Sequence, residues 1–263
     1  MTNFAIMLVL FVALWAVSVK LKNASIVDIM WGVACALPAT LTWLRADGSE
    51  PRAFLLTVLV AAWGLRLASY LAIRNIGHGE DYRYAAMRRK APSNAAFARS
   101  SLFKVFLLQC LISFFVSLPT QVGQFGSSGV FKIGSGGLGL LAIIGVAIYA
   151  VGLIFEAVGD YQLRAFKKDP ANKGKLMDRG LWAWTRHPNY FGDAAVWTGL
   201  TLIALESAFG VWTILSPILM VYFLYAASGK ALLERSMSKR YPDYAHYKAR
   251  VSGFFPRPPR KSA

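Results

Sequence analysis

Arg179-Gly-Leu-Trp-Ala-Trp-Thr-Arg-His-Pro-Asn-Tyr-Phe-Gly-Asp193 turns a basic, aromatic loop into the first turns of an apolar segment. Pro188 suits the first position of a helix, where its missing N–H is no loss. His187 before it is a poor cap, and Arg186 suits the level of lipid headgroups. Asn189 and Asp193 stand four residues apart, which puts them on one helix face. Polar side chains at the mouth of a helix of membrane grade need a partner. A phosphate-rich cofactor arriving from the basic side of a membrane supplies one.

The rest of the chain agrees with a membrane setting. Hydrophobic residues make up 56% and charged residues only 16%, against about a quarter charged in soluble domains. Seven apolar stretches, roughly 2–20, 24–44, 52–73, 101–121, 137–160, 189–208 and 210–229, reach or approach the ~20 residues that span a bilayer. The pattern predicts an all-α polytopic membrane protein with seven transmembrane helices. The first stretch lacks a basic n-region and a small-residue cleavage site, so it reads as a retained helix.

Net charge is +16, but the bases follow topology and do not form a nucleic-acid face. Lys and Arg number 2, 7, 7 and 9 in the 20–23 turn, the 74–104 loop, the 164–187 loop and the tail from 230, whereas the other side has Arg45, Arg52 and Lys132. Arg66 alone lies within a span. The positive-inside bias then places the N-terminus outside and the C-terminus in the cytoplasm. The expectation is one membrane domain, residues 1–263, with a cytosolic cap made of loops 74–104 and 164–187 and the tail 230–263. Residues 122–136 read as a flexible outer loop rich in Gly and Ser, and 240–251 as a short helix under the membrane. Cys35 and Cys110 both sit in apolar runs, which argues against a disulfide framework. His78, His187 and His246 are scattered without zinc-ligand spacing, so no metal site is expected.

Ionisable groups inside spans mark bundle-interior or functional positions. Here they cluster at the cytosolic ends: Asp28 on the second helix; Trp63, Arg66, Tyr70 and Arg74 on one stripe of the third; Glu156, Asp160 and Arg164 on the fifth; Asn189, Asp193 and Trp197 on the sixth. The outer halves read as almost purely apolar. This asymmetry describes a polar cavity open to the cytoplasm and backed by an apolar chamber, which suits an enzyme taking a lipid-soluble substrate and a water-soluble cofactor. Gly134-Ser-Gly-Gly-Leu-Gly139 matches a dinucleotide fingerprint only in letters, since no strand precedes it. Lys167, Lys168, Lys173 and Lys175 could serve anionic lipid or cofactor phosphate equally well.

Three segments, Ser25-Ile-Val-Asp-Ile-Met-Trp-Gly32, Gly79-Glu-Asp-Tyr-Arg-Tyr84 and Arg186-His-Pro-Asn-Tyr-Phe-Gly-Asp193, resemble the bacterial branch of the steroid 5α-reductase family. The resemblance covers nearly the whole chain and is most specific from Glu156 to Asp193. It implies seven transmembrane helices in the bacterial inner membrane and NADPH-dependent reduction of the Δ4 double bond of 3-oxo-steroids or a similar lipophilic enone. Membrane lipid and substrate are then the only partners expected. Asp160, Arg164, Lys175, Asn189 and Asp193 fall on its cofactor motif. The implied NADPH-binding set extends to Arg66, Asn75, Arg83, Tyr84, Glu156, Lys167, Arg186, His187, Tyr190, Glu234 and Tyr244. Glu156 departs from the family, whose animal members carry an amide there, and Asp193 stands in place of their Glu. On the substrate side Asp28 takes the acid role, with Trp63 or Tyr70 positioning the substrate. An apolar site could keep Asp28 protonated, but a nearby Arg66 would ionise it and make it an orienter. The Arg-His-Pro-x-Tyr-x-Gly pattern with Glu234 is shared with S-adenosylmethionine-dependent isoprenylcysteine carboxyl methyltransferases, which is the rival enzyme reading. A non-enzymatic sterol- or lipid-binding protein is the second alternative.

Overall fold

The computed structural model describes residues 2–46, 51–126, 138–224 and 230–260. Every regular element among them is helical. In order these are α1 (Thr2–Leu21), α2 (Ile26–Arg45), α3 (Pro51–Asn75), α4 (Tyr82–Lys90), α5 (Asn94–Val116), α6 (Leu118–Val122), α7 (Leu140–Lys168), α8 (Pro188–Ala204), α9 (Leu215–Tyr222), α10 (Lys230–Arg240) and α11 (Tyr244–Arg250). Much of the expected outer loop 122–136 and part of the Gly134–Gly139 motif lie outside the described residues.

Five helices, α1, α2, α3, α5 and α7, are long and apolar enough to cross a membrane. The stretch expected as a sixth span forms α8, whose 17 residues reach only roughly 25 Å at the helical rise. The stretch expected as a seventh forms a short 3-10 turn, Gly210–Thr213, and α9, and its end at 225–229 lies outside the described residues. The expected short tail helix is present as α11.

The chain forms two compact units, the first Met1–Leu140 with Ala204–Thr213 and the second Leu141–Ile203 with Ile214–Ala263. In the first, α2 packs along α3. The reason is local. Gly32 and Gly64 face each other so closely that a Cβ on either would run into the other's carbonyl. Without a hydrophobic effect between helices in lipid, such close backbone approach is what holds a pair together. Packed beside them, Phe11, Val27, Phe97 and Phe106 form a core with α1 and α5.

The few polar side chains at the helix ends remote from Asp28 pair with one another and with backbone carbonyls. Asn3 donates to Thr42 Oγ1 at 2.8 Å and to Gln121 Oε1 at 2.9 Å, and accepts from Arg45 at 2.6 Å. Arg52, 1% exposed, donates to the carbonyls of Gly123, at 2.8 Å, and Gly126. The short α6 turn brings backbone carbonyls into the interior, and a buried carbonyl must be paired. Arg52 and Gln124, which donates to Thr120 O at 2.6 Å, do that pairing.

In the second unit α7 and α8 run antiparallel. Gly145 meets Gly199, Gly152 meets Gly192, and Gly159 meets Pro188. A glycine every seventh residue keeps a single seam of α7 against α8 for three contacts in succession. Glu156 and Asp160, both buried, lie on that seam.

Candidate functional site

The first unit carries a polar cluster at the start of α2. Asp28 accepts from Arg83 on one oxygen at 2.8 Å and from the Tyr84 hydroxyl on the other at 2.7 Å. Gln109 of α5 donates to the Tyr84 oxygen at 3.1 Å, and Trp31 donates to Gln109 at 2.7 Å. Both Asp28 oxygens therefore accept, and the guanidinium on one of them is that of Arg83. Burial, then the Asp28 charge, push the Tyr84 phenol well above the usual tyrosine range.

The loop that carries Arg83 and Tyr84 is fixed by its own acids. Glu80 accepts from the Ala24 N–H at 2.8 Å and pairs with Arg88 at 2.7 Å, and the Asp81 N–H donates to Ser25 Oγ at 2.6 Å. Burial raises the Glu80 carboxyl, but the Arg88 hydrogen bond and the Ala24 N–H outweigh it and hold it below its ordinary range. Asp81 behaves likewise, with Arg83 as the dominant opposing group, and its side chain caps α4. Glu80 and Asp81 therefore dock the Tyr82–Lys90 helix onto the α1–α2 turn. On α3, Trp63 is fully buried, and Arg74 lies 5.8 Å from the Tyr70 ring. Asn75 accepts from Arg74 at 3.0 Å, and its buried amide nitrogen has no hydrogen-bond partner among the described residues.

The second unit carries the other set. Asn189 Nδ2 donates to Asp160 Oδ1 at 3.3 Å across the glycine seam. Glu156 sits one turn earlier, its stem against Gly192, where a Cβ would collide with it. Arg164 continues the same α7 stripe but is exposed, together with Lys167, Lys168, Lys173, Lys175 and Arg179. The loop beyond α7 is ordered. Asp169 accepts from the Ala171 N–H at 2.9 Å, Arg179 donates to Asn172 at 3.3 Å, and Gln162 accepts the Leu181 N–H at 3.0 Å.

Arg186 and His187 turn the other way, toward the tail. Glu234 of α10 accepts from Arg186, 3.0 Å away, and from His187 Nε2 at 3.2 Å. Arg186 also donates to the Val251 and Lys248 carbonyls at 2.6 and 3.2 Å. His187 stacks on Tyr190, with ring centroids 5.3 Å apart. Burial raises the Glu234 carboxyl, but the His187 hydrogen bond and the Arg186 charge overcome it and hold it at about 2. Burial and the Glu234 charge push Tyr244 up to about 12.

Residues 14–251 match the family described as "Protein of unknown function (DUF1295)". The chain belongs to the DUF1295 family. This DUF1295 protein is 27% identical over 272 residues to the uncharacterized protein C594.04c of Schizosaccharomyces pombe, covering 93% of the chain and 76% of that protein. It is also 34% identical over 98 residues to the probable O-methyltransferase ustE of Ustilaginoidea virens, covering 36% of the chain and 32% of that protein. No solved structure matches it.

Of the residues singled out in this DUF1295 sequence, the structure joins Asp28 with Arg83 and Tyr84, Asp160 with Asn189, and Arg186 and His187 with Glu234 and Tyr244. Gln109 and Trp31 are additions that sequence reading missed. A glutamine inside an apolar span was the available signal for the first, because an amide in lipid must find a partner.

Proposed function

We propose that the protein is a membrane reductase that uses NADPH to saturate the Δ4 bond of a 3-oxo-steroid or a comparable lipophilic enone. In this reading α8 and the 210–229 stretch complete seven spans, the N-terminus lies outside, and the cofactor-binding loops face the cytoplasm.

One observation carries it: the hydrogen-bonded Asp160–Asn189 pair borders the last turns of α7 and the loop after it, whose exposed side chains include Arg164, Lys167 and Lys168 on the helix and Lys173 and Lys175 on the loop. A carboxylate and a carboxamide suit ribose hydroxyls and the nicotinamide amide, and a row of cations suits a pyrophosphate and a 2′-phosphate. The donor set therefore fits NADPH. When bound, that cofactor supplies the hydride equivalent.

The chain's own residues supply the rest. Negative charge develops on the enone oxygen during conjugate reduction, and a preorganised donor there lowers the barrier. We assign that donor to Tyr84. A carbonyl oxygen displacing Asp28 from the phenol would accept its hydrogen bond as enolate charge gathers there. Gln109, already donating to the Tyr84 oxygen, makes the phenol a stronger donor, and the α-carbon then takes its proton from water. Asp28 and Arg83 hold the phenol until then, and Trp63 and Tyr70 shape the apolar side.

A second reading, S-adenosylmethionine-dependent methyl transfer, is favoured by the partial likeness to the probable O-methyltransferase and by the Arg186–His187–Glu234 cluster. S-adenosylmethionine has no phosphate, so in that reading the exposed bases serve anionic lipid alone. Thermal-shift titration of the detergent-purified protein separates the two. NADPH is expected to stabilise it more than NADH, with no effect of S-adenosylmethionine; stabilisation by S-adenosylmethionine alone overturns the reductase reading.

A further inference from the structure

Two depressions in the second unit meet at Ser252 and Gly253. One is an apolar groove of about 750 Å³ lined by Ile148, Phe191, Thr198, Val221 and Phe255 among others. That volume lies within the roughly 300–1,000 Å³ range of ligand pockets. The other is a cup of about 280 Å³ bordered by Lys248, Arg250, Arg257 and Arg260.

The groove is distinct from the candidate cofactor surface. At 3.6 residues per turn, Asn189, Asp193 and Trp197 share one side of α8, and Phe191, Ala195 and Thr198 share the opposite one. The tail that walls both depressions is strapped in place. The Arg186 N–H donates to Ser252 O at 2.9 Å, Thr185 Oγ1 to Phe254 O at 2.8 Å, and the Arg257 N–H to Trp184 O at 3.0 Å. The strap fixes Phe254 and Phe255 against Phe191, with centroids 6.3 and 6.2 Å away. Phe255 nevertheless remains 62% exposed. On the cup side, Arg250 reaches Asp178 at 3.6 Å, whereas Lys248, Arg257 and Arg260 form no ion pair among the described residues.

Apolar surface of this size ending in unneutralised cations asks for an amphiphile with an anionic head. Basic pockets at the flank of membrane helices hold anionic lipid headgroups. We infer that the second unit carries a binding site for an anionic phospholipid, with an acyl chain along the Phe191–Thr198–Phe255 groove and the phosphate in the Arg257–Arg260 cup. The complementarity is of charge at one end and of hydrocarbon at the other, joined at Ser252–Gly253 where a lipid joins its own two parts.

Native mass spectrometry of the full chain, incubated with equal amounts of phosphatidylglycerol and phosphatidylcholine of the same chain length, tests this. Phosphatidylglycerol should be retained in preference. Arg257→Ala with Arg260→Ala should cut that retention about thirtyfold, on the order of fivefold per basic residue near the phosphate. Thr198→Trp, which fills the groove and leaves the charge alone, should also cut it. Arg89→Ala with Lys90→Ala removes two exposed bases of the first unit and should leave retention unchanged. Equal retention of both lipids, or equal loss in the Arg89/Lys90 control, overturns the assignment. So does full displacement by millimolar inorganic phosphate, which would make the cup a site for free anions. The Arg257 and Arg260 side chains are exposed, so their variants keep the test valid even if Thr198→Trp fails to fold.

Discussion

Arg186 and Glu234 lie 3.0 Å apart with side chains only 8% and 14% exposed, so the start of α8 is pinned to α10 by a largely buried charge pair. Removing one partner leaves the other uncompensated, which costs several kcal/mol when fully buried. Glu234 keeps some contact with water, so Glu234→Gln should lower unfolding stability by about 1–3 kcal/mol. The fall in melting temperature in detergent measures it, and an unchanged value refutes the structural role.

The same carboxyl predicts an acid limit. Its folded-state pKa, about 2, lies below its ordinary value of 4.5. Its contribution is therefore complete above about pH 4.5 and drains away as pH falls toward 2. Melting temperature should drop across that window in the native protein, and the drop should be shallower in Glu234→Gln.

Asp28 and Tyr84 predict a different kind of loss. Tyr84→Phe removes the proposed donor at the enone oxygen, and deletion of one such donor costs roughly a hundredfold or more in kcat. NADPH-induced stabilisation should persist, because the phenol is assigned to the substrate. Loss of NADPH binding with kcat intact would return Tyr84 to the cofactor set.

Asn189→Ala and Asp193→Ala should abolish turnover while the protein keeps its fold, as judged by size-exclusion elution and far-UV circular dichroism. Near-normal turnover in both refutes the cofactor assignment. Gly32→Ala should instead prevent accumulation of folded protein, since its Cβ would meet the Gly64 carbonyl.

Much of this architecture is legible in the chain because an apolar run in lipid must close its backbone hydrogen bonds as a helix. Hydropathy nevertheless misplaces helix ends where the ends are polar. α5 starts at Asn94, seven residues before its apolar run, because Ser93 caps it by accepting the Ala96 N–H. α7 continues to Lys168, beyond the apolar limit at 160, and so carries Arg164 on a helix. Pro188 marked the start of α8 correctly. The site is legible only in part. Asn189 and Asp160 signal themselves as polar groups at helix mouths, whereas the Asp28–Tyr84 bond joins residues 56 apart, and no local pattern encodes that pairing. The cation on Asp28, Arg83, reaches it through the docked α4 loop, from a segment that shows no local link to α2.

The activity proposed for this membrane protein is NADPH-dependent reduction of an enone. The measurement that tests it most directly is NADPH oxidation by the purified protein in liposomes supplied with a 3-oxo-Δ4-steroid, with the products identified by mass spectrometry. The account predicts one saturated ketone formed per NADPH oxidised, and none with Asn189→Ala. Methyl transfer from S-adenosylmethionine to a lipid acceptor, with no NADPH oxidation across a panel of enones, would contradict it.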